Sequence, residues 1–346
     1  MPKQIEIVSF YERSAWSMHR YVCNCYLDRY QSHCMHTVLP QVSYVLLQQI
    51  TDKGLIEILQ TFRLLATLSI SGCKEIKDPF QAFISQKQLF SLSVLDLSNT
   101  SVNDVSMDHI ATLCPGLWDI NISNCDNVTD AAITAINSIT GIRNFSAAGC
   151  KLITFVIGII PLLYRHGYHL ETLNISALDN IDLAAIWYLC PRLKALIMEG
   201  CPNVCQTNTY GITNQDYHSY LQRLNLRECT FYHAEVDDDD SQSDCLKVVK
   251  KFCGNPLKSL CWSGMEGITD SLIVDCITGK CFKSLIYMEV RNCHSITSDS
   301  IEQVIRNCPS LLLLDIRFCQ QISITDSKDL KSLANSVNHN ITLLWE

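Results

Sequence analysis

Residues 114–130 read CPGLWDINISNCDNVTD. Leu117, Ile120, Ile122 and Cys125 occupy the apolar positions of an L-x-x-L-x-L-x-x-C frame. Ile120 and Ile122 are two residues apart, so in an extended segment they project to one side. Asp119, Asn121 and Ser123 project to the other. The stretch therefore reads as a short strand with one buried and one solvated face. Helical spacing takes over after Asp130, at Ile133, Ile136 and Ile139. Upstream, Pro115 follows Cys114 and stops the preceding helix from continuing.

The frame recurs at 65–73, 92–100, 142–150, 170–178, 193–201, 221–229, 257–265, 285–293 and 311–319, with a weaker copy ahead of them at Leu39, Val42, Tyr44 and Leu47. The last positions of the copies run from 47 to 319 with a mean step near 27 residues. One strand and one helix cannot bury their own apolar faces, whereas stacked copies share a continuous core. This is the leucine-rich-repeat pattern. It predicts an α/β leucine-rich-repeat solenoid, a horseshoe of about eleven strand–helix repeats with a concave parallel sheet. The repeats are expected over 39–325, with insertions at 206–220 and 230–256. Residues 326–346 read as a C-terminal cap, a last helix followed by a closing strand.

Ile50-Thr51-Asp52, Val128-Thr129-Asp130 and Ile268-Thr269-Asp270 add an I-T-D signature after the frame, and Cys-Pro recurs at Cys190-Pro191 and Cys308-Pro309. Together, CPxLxxLxIxxCxxVTD resembles the cysteine-containing leucine-rich repeat. The chain resembles the repeat region of F-box/leucine-rich-repeat proteins, the substrate-recognition subunits of SCF-type ubiquitin ligases. It also resembles the antagonist-of-mitotic-exit-network family, which carries these repeats without a clear F-box. The resemblance implies a non-catalytic protein–protein interaction module in ubiquitin-dependent degradation. Its partners would be an F-box-binding ligase adaptor and a substrate protein. The alternative is a leucine-rich-repeat scaffold of a cytoplasmic or cytoskeletal assembly. Residues 1–38 lack the helical apolar pattern of an F-box, and Leu39-Pro40 falls inside the first copy. That segment reads as a cap, with a helix over 11–30, or as a degenerate adaptor-binding segment. The Asp of I-T-D is placed to cap the helix that follows it, and the repeat cysteines read as small buried hydrophobes.

Composition narrows the function. The 346-residue chain holds 27 basic and 35 acidic residues, a net charge of −8, which argues against a broad nucleic-acid-binding surface. The longest apolar run, residues 155–164, is well short of the roughly 18 residues a membrane helix needs and contains Gly158 and Pro161. The first residues carry charges where a secretion signal would be apolar. The nineteen cysteines therefore read as reduced thiols of an intracellular protein, cytoplasmic or nuclear. No nucleophile elbow, zincin motif, P-loop or dinucleotide fingerprint is present, so neither catalysis nor a cofactor is expected. Cys23, Cys25, His33, Cys34 and His36 form the one cluster with metal-ligand chemistry. Their spacing matches no common zinc finger, and no metal is expected there.

The residues flanking the alternating apolar pair face the concave side. In the first half of the array they are small and polar. The second half carries Arg223, Arg227, Tyr287, Glu289, Arg291, Asp315 and Arg317. Arginine and tyrosine are enriched at binding hot spots, so a docking partner is expected at this end. Two readings of these residues stay open. Arg227, Arg291 and Arg317 form a patch for acidic or phosphorylated ligands, or Glu289 and Asp315 pair with the neighbouring arginines.

Overall fold

The computed structural model describes residues 50–62, 64–85, 90–205, 220–231, 257–265, 267–337 and 340–345, and the backbone of three strands at 5–7, 23–25 and 44–47. The chain divides into two compact units, Met1–His169 and Leu170–Glu346. In the first, β1 (Ile5–Ile7) and β2 (Cys23–Cys25) precede a parallel series, β3 (Tyr44–Leu47), β4 (Thr67–Ser69), β5 (Val94–Asp96), β6 (Asp119–Asn121) and β7 (Asn144–Ser146). Its helices are α1 (Asp52–Thr61), α2 (Gln81–Ile84), α3 (Asp104–Leu113) and α4 (Asp130–Ile136). A π-helical turn, Phe155–Ile159, then leads into α5 (Ile160–His166). The second unit aligns seven parallel strands: β8 (Thr172–Asn174), β9 (Ala195–Ile197), β10 (Arg223–Asn225), β11 (Ser259–Cys261), β12 (Tyr287–Glu289), β13 (Leu313–Asp315) and β14 (Thr342–Leu344). Its helices are α6 (Leu183–Leu189), α7 (Asp270–Thr278), α8 (Ser298–Asn307) and α9 (Ile324–Val337).

The strands pair position for position, so Leu68, Leu95, Ile120 and Phe145 form one row. Leu196, Leu224, Leu260, Met288 and Leu314 form another. Positions one, four, six and nine of all ten copies from 65 to 319 are buried. Each Leu-sized side chain removed from water contributes roughly 1.5–3 kcal/mol, which is what holds copies of this size together. The last helix starts at Ile324, ahead of the expected 326, and the last strand spans Thr342–Leu344.

Hydrogen bonds join successive copies along two columns. Cys125 Sγ donates to Leu97 O at 3.2 Å and Cys150 Sγ to Ile122 O at 3.1 Å. Cys201, Cys229, Cys293 and Cys319 make the same bond one copy back. These thiols are therefore buried donors as well as small hydrophobes. The second column corrects an expectation. The helix caps are Thr51, Asn103, Thr129, Thr154, Asp182, Thr269 and Thr297, not the I-T-D aspartates. The aspartate sits one residue inside the helix and reaches the next copy. Asp104 accepts from Thr129 N and Oγ1 at 2.8 and 2.7 Å, Asp130 from Thr154, and Asp270 from Thr297. Asp52 takes the backbone N–H groups of Lys77 and Asp78.

Three further expectations change. The first copy is displaced: Val45, not Val42, lies opposite Leu68. Residues 42–47 fit the frame in two registers three apart, and the usual loop length before Ile50-Thr51-Asp52 favoured the wrong one. The loop of this copy is three residues shorter. A helix over 11–30 is interrupted by β2, and the free edge of β3 is covered by β1, antiparallel, with β2 antiparallel to β1. Pairing the edge satisfies backbone groups that a helix would leave open. Finally, Cys281 is disulfide-bonded and so is not a reduced thiol. The rest of the 1–38 segment, and the insertions at 206–219 and 232–256, lie outside the described residues. No helix of the described residues is long and apolar enough to cross a membrane.

Asp104→Ala should lower stability in urea unfolding by about 2 kcal/mol, the usual scale for losing hydrogen bonds to a charged group. Thr129→Val should cost clearly less in that background than alone, because both changes remove the same contact. Burial pushes the Cys150 thiol up to about 11. Iodoacetamide at pH 8 should therefore modify Cys150 only after denaturation, read by mass spectrometry of the Cys150 peptide.

Candidate functional site

The open face of the sheet carries the third, fifth and seventh positions of each copy. The fifth position organises the loop after it. Asp96, Asn121, Asn174, Asn225 and Asp315 each accept the backbone N–H two residues on, from Ser98, Ser123, Ser176, Arg227 and Arg317. Asn and Asp make this local bond because their side chains are short enough to reach. The eighth position then takes positive φ in all ten copies from 65 to 319. Glycine or asparagine fills seven of these; Ala177, Glu228 and Phe318 fill the rest. A bulky residue in that region is strained, and Phe318 is also exposed.

In the first unit the open face is a hydroxyl and amide network. Ser69 bonds Asp96, Ser71 bonds Ser98, Ser123 bonds Ser146, and Asn144 donates to Asp119 at 2.8 Å. Burial raises the Asp119 carboxyl, and the neighbouring Asp96 charge adds to this against the Asn144 bond.

The second unit gathers the residues that the sequence singles out. Glu289 is 7% exposed and Asp315 is 2% exposed. Tyr287 Oη and Ser263 Oγ donate to Glu289, as do Nε and Nη2 of Arg291. Arg317 grips Asp315 through Nε at 3.0 Å and Nη2 at 2.7 Å, a two-point fork. Arg291 Nε also lies 3.7 Å from Asp315. The pairing reading is thus the one observed, but on a buried base and not a solvated sheet. Arg291 and Arg317 bring no net charge for a phosphate. Arg227 sits between Glu199 at 3.5 Å and Glu228 at 3.1 Å. Arg223 is exposed and makes no ion pair among the described residues.

Burial alone would raise the Glu289 carboxyl. The hydrogen bonds from Tyr287, Arg291 and Ser263 and the Arg291 charge outweigh it and hold the group below the usual range. Burial, then the bond to Glu289, pushes the Tyr287 phenol up. Tyr287 therefore stays a neutral donor. Sequence reasoning missed Ser263. It is 3% exposed and central, donating to Glu289 and accepting from the Arg291 N–H at 3.0 Å. Its one sequence signal is a small residue in a column where the neighbouring copies carry arginine.

Cys23 and Cys25 fall in β2, but their side chains, and His33, Cys34 and His36, lie outside the described residues. Among the described residues no three His, Cys, Asp or Glu side chains are grouped to hold a metal.

Glu289→Gln should lower stability at pH 7 by about 2 kcal/mol, because hydrogen bonds to a buried charge are lost. Since the folded carboxyl is depressed, its contribution is complete above the unfolded value of about 4.3 and fades as pH falls through the folded one. Denaturation at pH 7 and pH 3 should show the gap between wild type and variant narrowing at the lower pH.

No family model matches the chain. Among solved structures, an internalin (inlF) from Listeria monocytogenes has a TM-score of 0.55 at 17% identity, over 88% of this chain and 74% of that one. A chain of the Rad7 and Elc1 complex from yeast has a TM-score of 0.53 at 13% identity, over 86% of this chain and 80% of its own. Identities this low speak for fold alone. Together with the strand register and the buried columns they establish that the chain has the α/β leucine-rich-repeat solenoid fold.

Proposed function

We propose that the chain is a protein–protein interaction module, and that a partner docks on the open face of the second unit. One observation carries this reading. Tyr287, Arg291 and Arg317 are fixed by two buried carboxylates, so their outer edges are held in place before anything binds. Side chains ordered in advance lose less entropy on association. Arg223 and Arg227 extend the same surface.

We further propose that the module is the substrate-recognition or regulatory component of an intracellular SCF-type ubiquitin-ligase pathway. The cysteine column, the Cys-Pro helix ends and the resemblance to F-box/leucine-rich-repeat proteins support it. A related fold is found in a complex, that of Rad7 and Elc1. A second reading, a scaffold without ligase attachment, is favoured by β1 and β2, which stand where an F-box needs helices.

Affinity purification with mass spectrometry separates the two. The full chain should recover a cullin, an adaptor and at least one substrate. Arg223→Glu combined with Arg227→Glu should keep the ligase subunits and reduce the substrate about ten-fold or more, the scale of hot-spot losses. If the wild-type chain recovers no ligase subunit, the ligase reading fails and the scaffold reading stands.

A further inference from the structure

Among the described residues, the helical side of the first unit exposes single apolar side chains at Leu64 and Val105 and a group of them at one place. The outward residues of α1 include Lys53, Glu57 and Gln60, and those of α3 include Asp108 and Thr112. At the π turn and α5, by contrast, Val156 and Ile157 are each 68% exposed, Tyr164 63%, Tyr168 57% and Leu152 53%. Phe155, Ile159, Leu162 and Leu163 on the inner side are buried. An amphipathic helix satisfies its apolar face with the inner set alone. The outer set has no such account, and contiguous exposed apolar side chains mark interaction sites.

The π turn creates the patch. Ile159 N donates to Thr154 O at 3.2 Å, a five-residue span that adds one residue to the turn. Val156 and Ile157 both project outward as a result. The turn is held firmly. Thr154 is gripped by Asp130, and a Cβ on Gly158 would lie 2.3 Å from Asp130 Oδ1, so only glycine lets the turn sit this close.

Charge says what fits. Residues 151–170 contain no Asp or Glu, in a chain of 35 carboxylates. Lys151 and Arg165 flank the apolar stripe and are exposed. Buried His166, its pKa pushed down to about 4 by burial and by the Arg165 and His169 charges, adds none. A second copy seated on the same face would set this acid-free segment against itself and offer its cations no carboxylate of that segment. Recognition of anionic lipid ordinarily takes a cluster of roughly four to eight Lys or Arg, and this stripe exposes only Lys151 and Arg165. An acidic protein segment meets neither obstacle. We propose that the outward face of the π turn and α5 docks an acidic amphipathic segment of another protein. Its apolar anchors would lie on Val156, Ile157 and Tyr164, and its carboxylates beside Lys151 and Arg165.

The test uses the full chain and a phage-displayed library of random 16-residue peptides. Enriched peptides should be net negative, with Leu, Phe or Trp at helical spacing. Measured by fluorescence anisotropy, Arg165→Glu should weaken them about ten-fold and Ile157→Asp more, and added salt should weaken wild-type binding. Both sites are exposed, so unchanged thermal melting serves as the control for folding. Three results would overturn the proposal. One is a library that yields no peptide sensitive to these two changes. Another is sedimentation with phosphatidylcholine–phosphatidylserine vesicles that Ile157→Asp abolishes. The last is a dimer in sedimentation velocity that the same change dissolves. Substitution of Arg223 and Arg227 should leave peptide binding unchanged, which keeps this surface separate from the open face.

Discussion

The carbonyl at the sixth position of each copy is the point around which the repeat is built. It ends a strand and turns into the core, where an acceptor without donors is costly. Ile122 O receives the Cys125 N–H of its own copy at 3.2 Å and the Cys150 thiol of the next at 3.1 Å. The first bond closes the turn that forces positive φ on the eighth position. The second requires another copy to be present. The same atom therefore fixes the loop geometry and couples neighbours, and a copy standing alone would leave it half satisfied.

The Asp–Thr clamps extend this logic to the helical side. Cap and clamp are separate tasks here. Threonine holds the first turn of its own helix while its N–H and hydroxyl bond the aspartate of the copy before. At two of the places where the aspartate is missing, the geometry changes. At Phe155 the helix opens as a π turn with an apolar outer face, and at Leu183 the cap itself becomes Asp182. Departures from the repeat consensus thus map onto the places where the surface differs.

Much of this was legible beforehand. A spacing near 27 residues and alternating leucines specify strand, register and buried columns, because a period-two pattern has only one way to hide its apolar side. The open-face residues could be named for the same reason. What the pattern could not supply was partnership. Glu289 and Asp315 each could have faced water or an arginine, and burial decided it. Ser263 lies between Glu289 and the Arg291 backbone, a partnership that its place in the column does not reveal. The Asp of I-T-D looked like a cap because local bonds can be read from spacing, whereas its true partner lies some 25 residues away. The first copy slipped by three because valine and leucine at 42–47 satisfy two frames equally well.

The clamp column also has an end. The α8 copy carries Ser298 at the clamp position, and the last carries Ile324. There Ser323 and Asp326 bond each other in a local capping box. Under mechanical load the second unit should not yield evenly. Stretched by its termini, it would peel from the side of β14, whose hold on β13 has no Asp–Thr clamp behind it, and the seam at Asp270 and Thr297 would stop the tear.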